Sequence, residues 1–385
     1  MAQKNRSIRN TGYFSKCTGE ISKGCKLCVQ GRKLVVFVTG ICSRNCYYCP
    51  LSDQKKNKDV IFANERPVNS ESDIIAEAEI SGSKGASITG GDPLAVLKRT
   101  CRYIIILKKK YGKGFHIHLY APLELVSEKS LRLLYEAGLD EIRFHPDLSS
   151  DRNWGRLSLA LMFPWDIGLE IPVIPGTEKE SKKLLSFAAG KVSFVNLNEL
   201  EISDTNAGSF LARKFKPKDS ISYGVLGSEE LAMKLMKFAG AMPYPVHYCT
   251  AKLKDAVQLA NRIKLRSGKS SEAFDIITKE GLLRRGAIYL SGLKPSFSYK
   301  EKIKNISEPK KKTLIFRLER ERAGIISEYG IPKNMIKVDS EKLRLVTALV
   351  VAQELSAELK KRGLIPASVL QYPTFDQLEV ELSFL

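Results

Sequence analysis

Residues Leu34 to Pro50 read LVVFVTGICSRNCYYCP, an apolar run followed at once by three cysteines, Cys42, Cys46 and Cys49. The run is rich in β-branched and aromatic residues and ends on a glycine, the pattern of a strand buried on both faces. Such strands belong to parallel sheets, because an antiparallel strand usually leaves one face to water. The thiols then sit on the loop leaving the carboxyl end of that strand. A structural zinc site or a complete iron–sulfur cubane takes four protein ligands. Three thiols spaced CxxxCxxC with no evident fourth therefore predict a metal position left open for chemistry.

Working outward, similar runs recur as ASITG (86–90), FHIHLYA (115–121), DEIRFHP (140–146), DIGLEIPVIPG (166–176) and SFVNLNELEIS (193–203), with helical patterns between them at 70–82, 95–110, 127–137, 153–162 and 178–189. Regular alternation of strand and helix predicts an α/β fold around a parallel sheet, and six units predict a partial (β/α)6 barrel of the TIM type. Its open side would admit a bulky substrate, and its reactive groups would stand at the carboxyl ends of the strands. The domain plan is an N-terminal Cys-rich segment (1–32), the partial barrel (33–206), a helical extension (207–290), a basic linker (291–312) and a small α+β domain (313–385).

The chain has 385 residues, 43% of them hydrophobic, enough to fill sizeable cores. No apolar run reaches the roughly 18–20 residues of a membrane-spanning helix, and the basic start has no apolar stretch behind it, so a cytoplasmic location is expected. Eight cysteines, six of them between Cys17 and Cys49, fit metal ligation in a reducing compartment better than a disulfide framework. A net charge of +20 would attract RNA by counterion release, although lysine-rich surfaces also serve solubility.

CSRNCYYC on a loop after the first barrel strand resembles the cluster loop of the radical S-adenosylmethionine (radical SAM) superfamily. The resemblance implies a [4Fe–4S] cluster held by Cys42, Cys46 and Cys49, S-adenosylmethionine on the open iron, and reductive release of a 5′-deoxyadenosyl radical that abstracts hydrogen from a substrate. It implies that Tyr48 lies against the adenine and that Gly90, Gly91 and Asp92, in ITGGDP, hold the methionine end. Val173 and Ile174, in LEIPVIPG, match the loose motif around the adenine. An external one-electron donor of the ferredoxin or flavodoxin type is implied by the chemistry. The wider set GCKLC, NERPV, FHIHLY, AGLDEIRFHP, NLNELE and HYC resembles an archaeal group of uncharacterised proteins related to pyruvate formate-lyase activating enzymes.

His116, His118 and Tyr120 alternate along one strand and so share a face. With Asn196, Asn198 and Glu199 they predict a polar cavity at the barrel mouth and are the candidate catalytic groups. Upstream, Cys25 and Cys28 form a CxxC knuckle, which with Cys249 and either Cys17 or His247 predicts a second metal site, zinc or an auxiliary Fe–S cluster. Three functions compete. A radical enzyme acting on RNA, tRNA in particular, is favoured by charge; a glycyl-radical-type activase acting on a partner protein follows from the resemblance; a non-catalytic Fe–S or zinc module is the third.

Overall fold

The computed structural model describes residues 6–385. The chain divides into two compact units, one ending at Arg262 and one running from Ile263 to Leu385.

The first unit is built on seven strands, β1 Lys33–Phe37, β2 Gly85–Thr89, β3 His116–Ala121, β4 Glu141–Phe144, β5 Asp166–Val173, β6 Phe194–Glu199 and β7 Val246–Cys249, each parallel to the next. Every strand lies beside its successor in sequence, the winding of a barrel rather than of a doubly wound sheet. Neither end closes on the other. An antiparallel hairpin, Arg9–Asn10 with Lys16–Cys17, extends the sheet beyond β7, and a second, Phe62–Ala63 with Arg66–Pro67, extends it beyond β1. All six expected strands are present. The seventh comes from VHYC, too short to show a periodicity and carrying two of the residues expected to bind metal.

Helices α2 Glu71–Ile80, α3 Leu97–Tyr111, α4 Glu128–Glu136, α5 Glu178–Ala188 and α6 Ser228–Ala239 follow the strands. Ser70 and Ser127 open α2 and α4 with reciprocal capping boxes. Ile104 and Leu107 of α3, with Leu131 and Leu134 of α4, join Leu34, Val36, Ile88 and Ile117 of the strands in one core.

The Cys-rich segment is not a separate appendage. Helix α1, Lys23–Val29, lies inside the barrel, where a Cβ on Gly24 would fall 2.4 Å from both Arg143 Nη2 of β4 and His118 Nδ1 of β3. Ser22 caps this helix by accepting from the Cys25 amide, and its hydroxyl also accepts from Arg143 Nη2 at 2.9 Å. Cys25 reaches across to Asn196 of β6. The amino-terminal half of the lumen is thus filled by α1, which leaves the carboxyl-terminal face as the way in.

The second unit centres on β8 Leu283–Leu290, flanked in an antiparallel sheet of order β9–β10–β8–β11–β12 by β9 Ile336–Asp339, β10 Arg344–Thr347, β11 Leu364–Gln371 and β12 Glu379–Phe384. This corrects the expected boundaries in two places. β8, within the segment expected to be helical, is the central strand of this unit; Arg284 and Arg285 interrupt its apolar run. The expected linker holds helix Tyr299–Lys304, whose Tyr299 and Ile303 are buried in the unit's core one helical turn apart. Its cationic composition hides an amphipathic helix.

Candidate active site

The loop after β1 turns on Gly40, where a Cβ would stand 1.6 Å from the Lys55 carbonyl, so only glycine lets residues 52–58 lie against it. Gly90 and Gly91 after β2 have a related role. Gly91 N–H donates to the Thr39 carbonyl at 2.8 Å, and a Cβ there would meet the Ile41 carbonyl at 2.3 Å. These glycines therefore admit the cysteine loop's own backbone, beyond the ligand approach expected from sequence.

The loop brings Cys42, Cys46 and Cys49 to the wall of a cavity of about 470 Å³ at the carboxyl ends of the strands. Gly90, Gly91, Tyr48, Tyr120, His145, Asn198 and Glu199 also line it, together with Glu170, Glu201 and Lys254. The three thiols are half-buried. Burial pushes the Cys42 and Cys46 thiols up, and for Cys46 the Arg44 guanidinium opposes that shift. Arg44 is itself fixed by the His145 carbonyl at 2.8 Å and by ion pairs to Asp147 and Glu124.

Tyr48 is oriented by His145. Burial and Arg44 lower His145 to about 4, so its ring is neutral at pH 7. Its Nδ1–H donates to the Glu170 carbonyl at 3.0 Å, which leaves Nε2 to accept from the Tyr48 hydroxyl, also at 3.0 Å. Asn206 Nδ2 donates to the Tyr48 carbonyl and holds the loop from the other side.

Asp92 departs from expectation. It is fully buried: one carboxylate oxygen accepts from the Leu94 amide at 2.9 Å and the other from the Ser43 hydroxyl at 3.1 Å. It ties the cysteine loop to the turn after β2 and does not line the cavity. Val173 also lies in the core, its carbonyl accepting from Ser228. Ile174 lines a neighbouring cavity of about 780 Å³ behind the loop, together with Arg44, Cys46, Tyr47 and Tyr48.

Among the expected catalytic groups, Tyr120, Asn198 and Glu199 reach the cavity, whereas His116, His118 and Asn196 do not line it. His116 and His118 are buried beside α1: His116 Nδ1 meets Lys33 Nζ at 3.1 Å, and His118 Nε2 meets the Tyr120 hydroxyl at 3.1 Å. Burial lowers both histidines, which stand in a floor that also carries Lys33, Glu141 and Arg143. Burial would raise Glu141, but Arg143 and then His116 overcome it and hold the carboxyl at about 2. Arg143 also donates to Glu170 Oε1 at 2.8 Å, while Asn196 and Asn198 donate to the two oxygens of Glu170 at 2.7 Å. Glu170 and Arg143 were not foreseen; a charged residue inside an apolar strand, as in LEIPV and EIRF, was the available signal.

Of the residues expected to form a second metal site, Cys25, Cys28 and Cys249 are near neighbours: Cys25 acts on the Cys28 thiol, and both act on that of Cys249. Among the described residues no group of three or more His, Cys, Asp or Glu side chains is placed to hold a metal ion. Cys17 is 3.4 Å from Arg9 Nε, His247 Nε2 pairs with Ser15 at 3.1 Å, and Cys25 meets Asn196. Burial pushes Cys28 up to about 11 and Cys249 up to about 12, as it also raises Cys42 and Cys46. The loop thiols also do not converge on one ion, as expected of a cubane, in which each thiolate binds its own iron. Three half-buried thiols on one cavity, with no fourth cysteine lining it, fit such a cluster with one iron left open.

Fold and site together give an open parallel barrel with three cysteines of the loop after its first strand on one cavity at the carboxyl ends. Residues 36–162 match the Radical SAM superfamily. A Methanocaldococcus jannaschii protein named "Putative glycyl-radical enzyme activating enzyme MJ0021" is 44% identical over 284 residues, 71% of this chain and 75% of that one. The chain belongs to the radical SAM superfamily. It is an enzyme of that class, whose cofactors are a [4Fe–4S] cluster and S-adenosylmethionine and which needs an electron donor.

Among solved structures, methylornithine synthase (PylB) is similar at TM-score 0.38 and 13% identity, over 55% of this chain and 66% of its own. The Kitasatospora setae radical S-adenosylmethionine methyltransferase TsrM, with tryptophan and a SAM analog bound, is similar at TM-score 0.37 and 12% identity, over 63% of this chain and 53% of its own. The chain thus spans about two thirds of the first and about half of the second.

Proposed function

We propose that this radical SAM enzyme is an activase that abstracts a hydrogen atom from a glycine of a partner protein and leaves a glycyl radical there. The supporting observation is the loop-lined cavity at the open end of the barrel, in a chain 44% identical to a relative named for glycyl-radical activation. A [4Fe–4S] cluster held here would pass one electron from the external donor to S-adenosylmethionine, giving methionine and a 5′-deoxyadenosyl radical. In this reading Cys42, Cys46 and Cys49 hold the cluster, and the backbone at Gly90 and Gly91 receives the methionine end. Tyr48, fixed by neutral His145, borders the adenine. Asp92 positions the cysteine loop through Ser43. Glu170, balanced by Arg143, Asn196 and Asn198, keeps the lower cavity polar without presenting a free base. The donor would be a ferredoxin or flavodoxin. RNA, favoured by charge alone, has no support from the family or the relative, and a non-catalytic module is at odds with membership of an enzyme class.

The test is anaerobic reconstitution followed by dithionite and S-adenosylmethionine. The class requires 5′-deoxyadenosine and methionine in equal amounts. The activase reading further requires a carbon-centred radical, seen by electron paramagnetic resonance, on a glycine-radical protein from the same organism. Product formed with total tRNA, together with a changed tRNA nucleoside profile in a strain lacking the gene, would replace the activase reading with the RNA one.

A further inference from the structure

Cys25, Cys28, His247 and Cys249 do not line the cluster cavity, yet the fold collects them beneath it. Cys25 and Cys28 stand about one turn apart on α1, and Cys25 Sγ is 3.4 Å from Asn196 Nδ2 of β6. β6 and β7 run parallel with Asn196 opposite His247 and Asn198 opposite Cys249, so these four side chains leave the same face of the sheet. That face is the one against which α1 packs. Glu170, whose two oxygens accept from Asn196 and Asn198, stands among them. Cys25 and Cys28 both act on the Cys249 thiol, and Glu170 and Arg143 act on His247.

His247 is 4% exposed. Its Nε2 pairs with the Ser15 hydroxyl at 3.1 Å, whereas Nδ1 is buried and makes no hydrogen bond among the described residues. A buried ring nitrogen is seldom left without a partner, and one beside three thiols points to a metal. A proton on Nε2, directed at Ser15, leaves the Nδ1 lone pair free, which is how an outer hydrogen bond orients a ligating histidine. Cys17, the other fourth ligand expected from sequence, is taken by Arg9 Nε at 3.4 Å. His118 Nδ1 also lacks a hydrogen bond, but it packs against Gly24 of α1.

The kind of metal follows from the spacing. A zinc ion draws its four donors to within about 2.3 Å of one centre, and among the described residues no such group is present. The loop thiols fail the same condition, as ligands of a cubane do. Burial opposes ionisation of Cys28 and Cys249, and cations counter it, Lys33 and then Arg143 at Cys28 and Lys254 at Cys249, which suits thiolate ligands. We propose that Cys25, Cys28, Cys249 and His247 Nδ1 hold a second cluster of the [4Fe–4S] type, with every iron ligated by the protein and none left for S-adenosylmethionine. The inference is independent of the substrate, and so of the activase reading.

The test uses the full chain carrying Cys42→Ala, Cys46→Ala and Cys49→Ala, reconstituted anaerobically with ferrous iron and sulfide and then desalted. It should retain roughly four irons and four sulfides per chain, against roughly eight of each in wild type. Adding Cys25→Ser and Cys28→Ser should bring both to background, with circular dichroism checking that each protein is folded. Pulsed electron paramagnetic resonance of the reduced triple variant should show a nitrogen ligand whose coupling disappears in His247→Gln. Wild type gives a measurement that needs no variant to fold: once reduced it should show two cluster signals, one shifted by S-adenosylmethionine and one unmoved. A folded triple variant without iron, zinc bound in place of iron, a cluster with no nitrogen ligand, or a wild type whose whole cluster signal shifts with S-adenosylmethionine would overturn the proposal.

Discussion

Replacing Gly24 by alanine tests whether α1 is seated in the lumen. The added methyl would lie 2.4 Å from Arg143 Nη2 and His118 Nδ1 and 3.0 Å from Glu141 Oε1, all of them buried. None can retreat freely. Arg143 is held by Glu141 at 2.5 Å, Glu170 at 2.8 Å and Ser22 at 2.9 Å, and His118 by Tyr120 at 3.1 Å. Overpacking a well-filled interior costs about 1–3 kcal/mol. Loosening Arg143 from one carboxylate adds part of the roughly 3–5 kcal/mol lost when a buried pair is broken. Against this, alanine gains about 1 kcal/mol over glycine within a helix. The net expectation is a loss of about 2 kcal/mol, roughly 0.5–1 M in urea midpoint. Both tryptophans, Trp154 and Trp165, lie in the first unit, so their fluorescence reports that unit alone. A Gly24→Ala protein as stable as wild type, or more so, would mean that the helix propensity gain is unopposed and that α1 does not occupy the barrel.

Gly91→Ala should displace the cysteine loop, because its Cβ would meet the Ile41 carbonyl at 2.3 Å; a shift near 1 Å at the site predicts about a 100-fold drop in 5′-deoxyadenosine formation, and an unchanged rate would refute the close approach. Asp92→Asn keeps an acceptor for the Leu94 amide, so its cost should stay below about 1 kcal/mol with little change in the KM for S-adenosylmethionine. A large KM increase would return Asp92 to the ligand. His145 binds no proton in the folded protein until about pH 4, whereas an unfolded histidine does so near 6.5. Its contribution is therefore complete above about pH 6.5 and is lost as pH falls toward 4, about 3 kcal/mol in all. Urea midpoints across that range should fall less steeply for His145→Gln than for wild type, and identical slopes would count against the assignment.

The barrel was legible because its strands are buried on both faces, so β1, β2 and β5 stand out as apolar runs whatever surrounds them. β7 was not legible: four residues are too few for a period, and its His247 and Cys249 suggested ligands rather than a strand. The second unit was misjudged for a related reason. Arg344, fully buried, is satisfied by Asp339, Glu379, Gln371 and Tyr289 from three other strands and the end of its neighbour, partners that no local pattern reveals. A buried arginine looks like a surface one until those strands are paired.

The site divides along the same line. Cys42, Cys46 and Cys49 were readable because their spacing alone brings them onto one short loop. Alternation placed His116, His118 and Tyr120 correctly on one face, but it could not say how far along the barrel that face was already filled. The filling comes from α1, a segment that precedes β1 in sequence and reaches across to β3, β4 and β6. Its CxxC spacing, three residues apart on a helix, puts Cys25 and Cys28 on one side of α1, beside Asn196, Arg143 and Cys249. The same helix explains why the histidines form a buried, hydrogen-bonded base instead of a reactive mouth. A chain that fills its own lumen from below leaves only the carboxyl-end residues, Tyr120, Asn198 and Glu199 among them, within reach of a substrate.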